Sequence, residues 1–474
     1  VVQQSGTKLR SGWGSTLSPN GLANQEDLPR GGSAVIGVGL FAWPFTVDDA
    51  FVVSRYAQRL CGGLGWTFID GPATDGITGP LWMLPAAFGE LTGIGAPTFQ
   101  KAFGLAAAAT GAWWLARHAP PLAALVLASQ STLGIWGGAG LETGGAVLAT
   151  SVAVVGYAGR ERRDAIAMGV ALGLAGWLRP ELAPFALLLL IAKRSRAAWI
   201  GALVPAVLLI GFRLALFESV FPLPMFAKAG DAGAGAQYVF YGLMFLTGGV
   251  GVGLAALAWR TGGDARGLLL ACLVHLGAVA LAGGDWMPGW RLFAPLLPAY
   301  AWLVARGVRT LPASRALRFA FCAWVVCAGI GDAWLQLPHV RDAGEARSNA
   351  LALRAQVRGL RSVALVDIGY FTWDSDVRVL DLGGITEPIV AHAPGGHLDK
   401  EVPIGWLAEE APEVILLHSA VPPTVDSEGR LTRLAGYPVE RRLAASAYVR
   451  RHYVYRETIR YSDGYHYVWL DRRR

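Results

Sequence analysis

The sequence predicts a polytopic α-helical membrane protein that carries a soluble α/β domain at its C-terminal end. Three observations predict it. Charged residues are 16% of the chain and hydrophobic ones 53%, where soluble proteins average about 25% charged. Apolar segments recur with short loops between them from about residue 31 to 337. Beyond about residue 338, short β-like runs alternate with polar and helical stretches.

Residues 1–30 are polar, Gly/Ser-rich and weakly basic, and read as a flexible cytoplasmic tail. The first apolar stretch, about 31–47, is short for a span of ~20 residues. A signal peptide is the rival reading, but the long leader and the missing small-x-small cleavage site argue against it. Further spans are expected near 100–116, 120–136, 143–159, 164–178, 182–192, 197–217, 238–258, 267–282, 292–305 and 317–336. With the first they make eleven. The run Gly249-Val250-Gly251-Val252-Gly253 falls inside one of them and reads as a close-packing helix face.

Loop charge orients these spans. Loops of one parity hold Arg117, Arg160, Arg162, Arg163, Lys193, Arg194, Arg196, Arg260, Arg266, Arg306, Arg309, Arg315 and Arg318, against only Glu161, Asp164 and Asp264. Loops of the other parity are richer in carboxylates. The positive-inside rule then places the N-terminus in the cytoplasm and the C-terminal domain outside. Net charge is +7, but it resides largely in these loop arginines and is no sign of a nucleic-acid partner. The cysteines form no CxxC pair and read as packing residues, and the histidines form no HExxH motif, so a zinc site has little support.

The first outer loop, 48–99, is the longest. Phe51, Val52, Tyr56 and Leu60 recur at helical spacing opposite Arg55 and Arg59, which predicts a helix lying on the membrane surface. Asp48 is its expected N-cap, with Asp49 in the first turn. The C-terminal domain, 338–474, offers strands at Val363–Val366, Val377–Leu380 and Val414–Leu417. Its end reads as a β-hairpin, Tyr453–Tyr461 and Tyr465–Leu470 around Ser462-Asp463-Gly464.

Polar residues far apart in sequence reach one face of the expected bundle, and charges at membrane depth are presumed functional. Asp48-Asp49 suits a general base with a neighbouring carboxylate, or a helix cap. Arg179 suits a phosphate clamp, or a pair with Glu142 or Glu181. Lys228 follows the proline-stiffened Phe221–Ala227 and suits a lipid phosphate, or snorkelling to the interface. Arg213, near the outer end of its span, poses the same choice. Asp285 and Arg291 flank a Trp-Met-Pro turn, which a salt bridge between them would close.

Taken together, these motifs resemble the GT-C membrane glycosyltransferases, and within them the group of mycobacterial terminal arabinofuranosyltransferases. The resemblance rests on Asp48-Asp49-Ala50-Phe51 with Arg55-Tyr56-Ala57, then Asp75-Gly76-Ile77-Thr78-Gly79-Pro80-Leu81-Trp82. It continues through Gly140-Leu141-Glu142-Thr143, Leu178-Arg179-Pro180-Glu181, Leu223-Pro224 with Phe226-Ala227-Lys228, and Gly283-Gly284-Asp285-Trp286 with Arg291. Asp367-Ile368-Gly369 through Asp381–Thr386 closes the series. The chain departs from the group at Met225-Phe226, where Asn-Thr is usual, and at Ile77 and Gly79, where Tyr and Asn are frequent. Both departures bear on which sugar is held, so arabinose is not carried over.

The resemblance implies a GT-C fold in the bacterial cytoplasmic membrane and an inverting transfer from a polyprenyl-phosphate sugar to an extracytoplasmic glycan, lipid or protein. It implies Asp48 or Asp49 as the base, with a slight preference for Asp48. It implies Lys228, Arg179, Arg213 and Arg291 around the donor phosphate, and Arg55, Tyr56, Thr78, Trp82, Glu142, Glu181, Asp285 and Trp286 around the substrates. No cofactor is required, since a monophosphate leaving group does not oblige a metal clamp. The rival classes are a transporter or flippase for lipid-linked sugars, which would bury polar residues at the bilayer midplane, and an inactive membrane scaffold.

Overall fold

A computed structural model describes residues 30–473 apart from 229 and 313, so the expected cytoplasmic tail lies outside the described residues. Three helices are long and apolar enough to cross a membrane: Arg196–Phe217, Gly263–Leu281 and a 44-residue rod over Arg315–Arg358. At ~1.5 Å per residue the rod is far longer than the ~30 Å hydrocarbon core. It therefore continues out of any membrane it spans and runs into the C-terminal domain. A fourth crossing is added if Ala232–Thr247 and Val250–Thr261, bent by 91°, count as one broken span.

Helix length and composition do not confirm the expected eleven spans among the described residues. Most of the other segments are helical but shorter, such as Thr143–Ala158 with 16 residues, Arg162–Leu178 with 17 and Ala183–Lys193 with 11. The stretch 120–136 splits into Pro121–Ala128 and Ser131–Gly137, and every residue of the second piece is buried. The stretch 292–305 starts as a 3-10 turn, Arg291–Leu296, which holds Pro295, before the 12-residue helix Leu297–Val308. Apolar composition here reflects burial against other helices as well as exposure to lipid. The stretch 238–258 breaks at Gly248 and Gly249, whose φ values of +60° and +70° no continuing helix allows. Close packing does hold one turn later, where a side chain on Gly251 would strike the Tyr300 hydroxyl.

The C-terminal domain contains strands β1 (Ser362–Leu365), β2 (Arg378–Asp381), β3 (Val414–Ser419), β4 (Thr424–Val425), β5 (Leu431–Arg433), β6 (Tyr453–Ser462) and β7 (Tyr465–Arg472). Five of them form a mixed sheet ordered β2-β1-β3-β7-β6. β1 runs parallel to β2 and β3, and β7 runs antiparallel to β3 and β6. The expected strands and hairpin fall where the β-branched runs and the Ser462-Asp463-Gly464 turn place them.

Alternation along these strands decides how the domain docks. Val363, Leu365, Val414, Leu416, Tyr467 and Trp469 share a core with Phe51, Val52, Tyr56 and Phe68 of the segment 48–99. Ala364, Ile415, Leu417, Val468 and Leu470 face the other way, onto Leu407, Val439, Leu443 and Val449. One face of the sheet thus sits directly on the helix Asp48–Cys61. That helix does not lie exposed on a membrane surface as its pattern suggested, because every residue from Ala50 to Ala57 is buried. On its polar-looking side Arg55 is covered by the C-terminal domain, and Arg59 is held by Thr67 and Asp70.

Candidate active site

The helix Asp48–Cys61 begins at the mouth of a cavity of about 840 Å³ between the helical body and the C-terminal sheet. Its walls include Asp48, Asp49, Lys228, Asp285, Trp286 and Arg291 from the body, and Arg347, Asp367, His397 and several tyrosines from the rod and the C-terminal domain. Successive helical residues point ~100° apart, and the two aspartates serve different neighbours.

Asp49 faces the body. Its Oδ2 lies 3.9 Å from Arg291 Nη1, and Arg291 Nε lies 2.8 Å from Asp285 Oδ2. The guanidinium sits 5.2 Å over the Trp136 ring. Lys228 follows the short helix Leu223–Ala227, whose Leu223 and Ala227 pack on Ala391 of the C-terminal domain. It is exposed, lines the cavity and has no carboxylate within ion-pair distance among the described residues. Trp286 is 78% exposed at the same rim.

Asp48 faces the C-terminal domain. It does not cap its own helix: the N-cap is Val47, without a side-chain bond. Its Oδ2 accepts the Gly369 amide and its Oδ1 the Tyr370 amide, both at 2.8 Å. The approach needs Gly369, since a Cβ there would run into the Asp48 backbone carbonyl. Burial pushes the Asp48 carboxyl up to about 7, with the Asp367 charge adding to the rise and the two amides and Arg347 opposing it. The result is an oriented carboxyl whose ionisation falls near neutral pH, as general-base work requires.

Arg347 leaves the rod beside Asp48. Its guanidinium stacks 4.9 Å from the Phe51 ring and 4.7 Å from that of Tyr370, and donates to the Thr46 carbonyl. Its Nε and Nη1 are buried without hydrogen-bond partners. Asp367 lies in the same wall, its Oδ2 accepting from His418 Nε2, Tyr465 Oη and Tyr467 Oη at 2.9–3.1 Å.

The other residues expected at the site lie outside this cavity, and each is held by structural partners. Arg179 pairs with Glu142 at 3.0 Å and Glu181 at 2.8 Å and donates to Thr143. Arg213 pairs with Asp75 at 3.0 Å and donates to the Thr78 carbonyl. Neither guanidinium lines the cavity that Arg291 and Lys228 share, so neither is placed to meet a phosphate bound there. Arg55 donates to the carbonyls of Phe68, Thr372 and Val377, joining the segment 48–99 to the C-terminal domain. Tyr56 is buried with its hydroxyl 2.7 Å from Thr74 Oγ1. Trp82 is buried and donates to the Gly140 carbonyl at 2.9 Å. These side chains hold the loops that carry the cavity residues.

Sequence reasoning assigned no role to Arg347, Asp367, His397 or the tyrosines of the hairpin. Asp367 stood within a motif, and the hairpin itself was legible. Nothing local marks Arg347, whose meaning depends on where the rod ends.

The fold is similar to the crystal structure of ArnT from Cupriavidus metallidurans bound to undecaprenyl phosphate, with a TM-score of 0.53 at 11% identity over 76% of this chain and 86% of that one. At that identity the likeness concerns the fold. Residues 339–469 match a family described as a domain of unknown function, DUF8728. Among curated proteins none matches the sequence.

Proposed function

We propose that the chain is an inverting GT-C glycosyltransferase of the bacterial cytoplasmic membrane, moving a sugar from a polyprenyl-phosphate donor to an acceptor on the outer side. The observation that carries this reading is the split of the adjacent aspartates within one cavity. Asp49 faces Arg291 in the cavity that Lys228 also lines, while Asp48 is fixed by the C-terminal domain. The fold likeness to a protein that binds undecaprenyl phosphate supports it, as do the GT-C-like motifs in the sequence. The loop-charge asymmetry supports a cytoplasmic N-terminus and an outer C-terminal domain.

In this mechanism Asp48 takes the proton of an acceptor hydroxyl as its oxygen attacks the anomeric carbon. The bond from that carbon to the phosphate oxygen breaks on the opposite face, and the lipid phosphate leaves with the electron pair and one more negative charge. Lys228 and Arg291 stabilise that charge where it develops. Asp49 and Asp285 hold Arg291 in place. The acceptor is a glycan, lipid or protein.

The test is purified protein in lipid with a panel of polyprenyl-phosphate sugars and membrane extract as acceptor, scored for free polyprenyl phosphate. Turnover with one sugar supports the transferase. Tight binding without turnover favours a flippase or scaffold.

A further inference from the structure

Behind Asp367 lies a chain of buried charge. Glu440 is fully buried, and its Oε1 accepts from His418 Nδ1 at 2.6 Å and from the His418 amide at 2.8 Å. Glu440 Oε2 accepts the Tyr437 amide at 2.9 Å. His418, also buried, reaches Asp367 with its other nitrogen at 3.1 Å. Burial alone would discharge the imidazole, but Asp367 and Glu440 outweigh it and raise His418 to about 10. Burial likewise opposes the charge on Asp367, and His418 with the Tyr467 and Tyr465 hydroxyls brings its carboxyl well below the usual range. Asp367 is therefore a permanent anion at neutral pH.

The geometry of that anion is one-sided. Its Oδ2 takes all three hydrogen bonds from His418, Tyr465 and Tyr467. Oδ1 has no hydrogen-bond partner among the described residues and is not among the buried unsatisfied atoms, and Asp367 lines the cavity with its side chain 31% exposed. A network that only held the domain together would engage both oxygens. Burying three charges is costly when packing would serve as well. Here the cost yields a carboxylate oxygen that is rigid, ionised and presented to the cavity.

Around it stands an aromatic wall. Tyr461, Tyr465 and Tyr467 meet edge to face with centroids 5.5–5.6 Å apart, and all three line the cavity. The hairpin places them there: Tyr465 and Tyr467 share a strand face by alternation, and Tyr461 crosses the turn from β6. A fixed carboxylate oxygen next to the half-buried rings of Tyr461 and Tyr465 at the cavity wall is chemistry suited to a sugar, whose hydroxyls donate to the anion and whose C–H face packs on a ring. A lipid tail would have no use for the anion, and a phosphate would be repelled by it.

We infer that Asp367 and the tyrosines 461, 465 and 467 form the acceptor subsite, and that it takes a neutral sugar residue at the end of a glycan. The inference rests on the transferase reading and says which of its three acceptor classes the protein uses. The subsite adjoins Asp48, the carboxyl that would take the acceptor proton, and shares one cavity with Arg291 and Lys228 of the helical body. Donor and acceptor thus enter from the body and the C-terminal domain respectively.

The test uses the full chain in lipid nanodiscs without donor. The probes are the methyl glycosides of mannopyranose, glucopyranose, arabinofuranose and galactofuranose, read by saturation-transfer NMR. At least one binds the unsubstituted protein, and Asp367→Asn and Tyr461→Ala each weaken that binding at least tenfold while undecaprenyl phosphate binding is unchanged. Tyr461→Ala guards against misfolding, since the Tyr461 hydroxyl has no hydrogen-bond partner among the described residues and its loss leaves the Asp367 network whole. Absence of binding by every glycoside, or binding that persists in both variants, overturns the inference. Failure of the transferase reading looks different: glycoside binds, both variants weaken it, and no donor is turned over.

Discussion

Asp48 accepts the Tyr370 amide at 2.8 Å across 322 positions of the chain. The first carboxylate of the helix that opens the cavity is thus held by the C-terminal domain. The domain is a structural part of the site and not an appendage beside it. Arg55 repeats the arrangement about two turns on, donating to the Thr372 and Val377 carbonyls.

The cations divide by partner, and substitution should separate them. Lys228→Gln removes an exposed charge with no ion pair, so stability should change by no more than about 0.5 kcal/mol. Donor affinity should fall by roughly 10- to 100-fold, the worth of a charged hydrogen bond. Arg179→Gln should do the reverse. It strands Glu142 and Glu181 in a buried site and should cost about 3–5 kcal/mol. Thermal unfolding and donor titration on the same two variants check both halves.

The Asp48 carboxyl, raised to about 7 by burial and by Asp367, sets the pH dependence. Only the ionised form accepts a proton, so kcat/KM should rise with pH and level off above about 7. The groups acting on it are Asp367 and Arg347 together with the Gly369 and Tyr370 amides. Asp367→Asn removes a negative charge and should move the rise to lower pH. Arg347→Gln removes a positive one and should move it to higher pH. Opposite displacements in two pH–rate profiles are the expected outcome, whatever the absolute rates.

Gly369→Ala should be damaging although it adds a single methyl. The new Cβ meets the Asp48 carbonyl, and relief requires the helix and the C-terminal domain to move apart. Overpacking of this kind costs about 1–3 kcal/mol, and the loss of activity should exceed the loss of folded protein. Comparing specific activity per folded molecule with the unfolding midpoint checks it.

What was legible in the sequence was local. The hairpin could be read from aromatic and β-branched residues either side of Ser462-Asp463-Gly464, and the helix at Asp48 from its apolar spacing. The span count could not be read. Ser131–Gly137 is apolar because other helices cover it, and hydropathy does not distinguish that from lipid. Gly249 reads as a small packing residue, whereas its backbone, with that of Gly248, turns the chain. Arg55 and Arg179 carried the right chemistry for a substrate, and only tertiary placement shows their donors already engaged with carbonyls and carboxylates. Asp367 and Arg347 gain their meaning from Asp48, over 290 positions away in sequence.

The most direct test of the central claim compares the unsubstituted protein with Asp48→Asn in lipid, with one polyprenyl-phosphate sugar and its acceptor, measuring polyprenyl phosphate release. The amide keeps the shape of the side chain and one acceptor oxygen but cannot take the proton. The account predicts a fall of about 10²- to 10⁴-fold with donor affinity retained. Release at an undiminished rate by Asp48→Asn would contradict it.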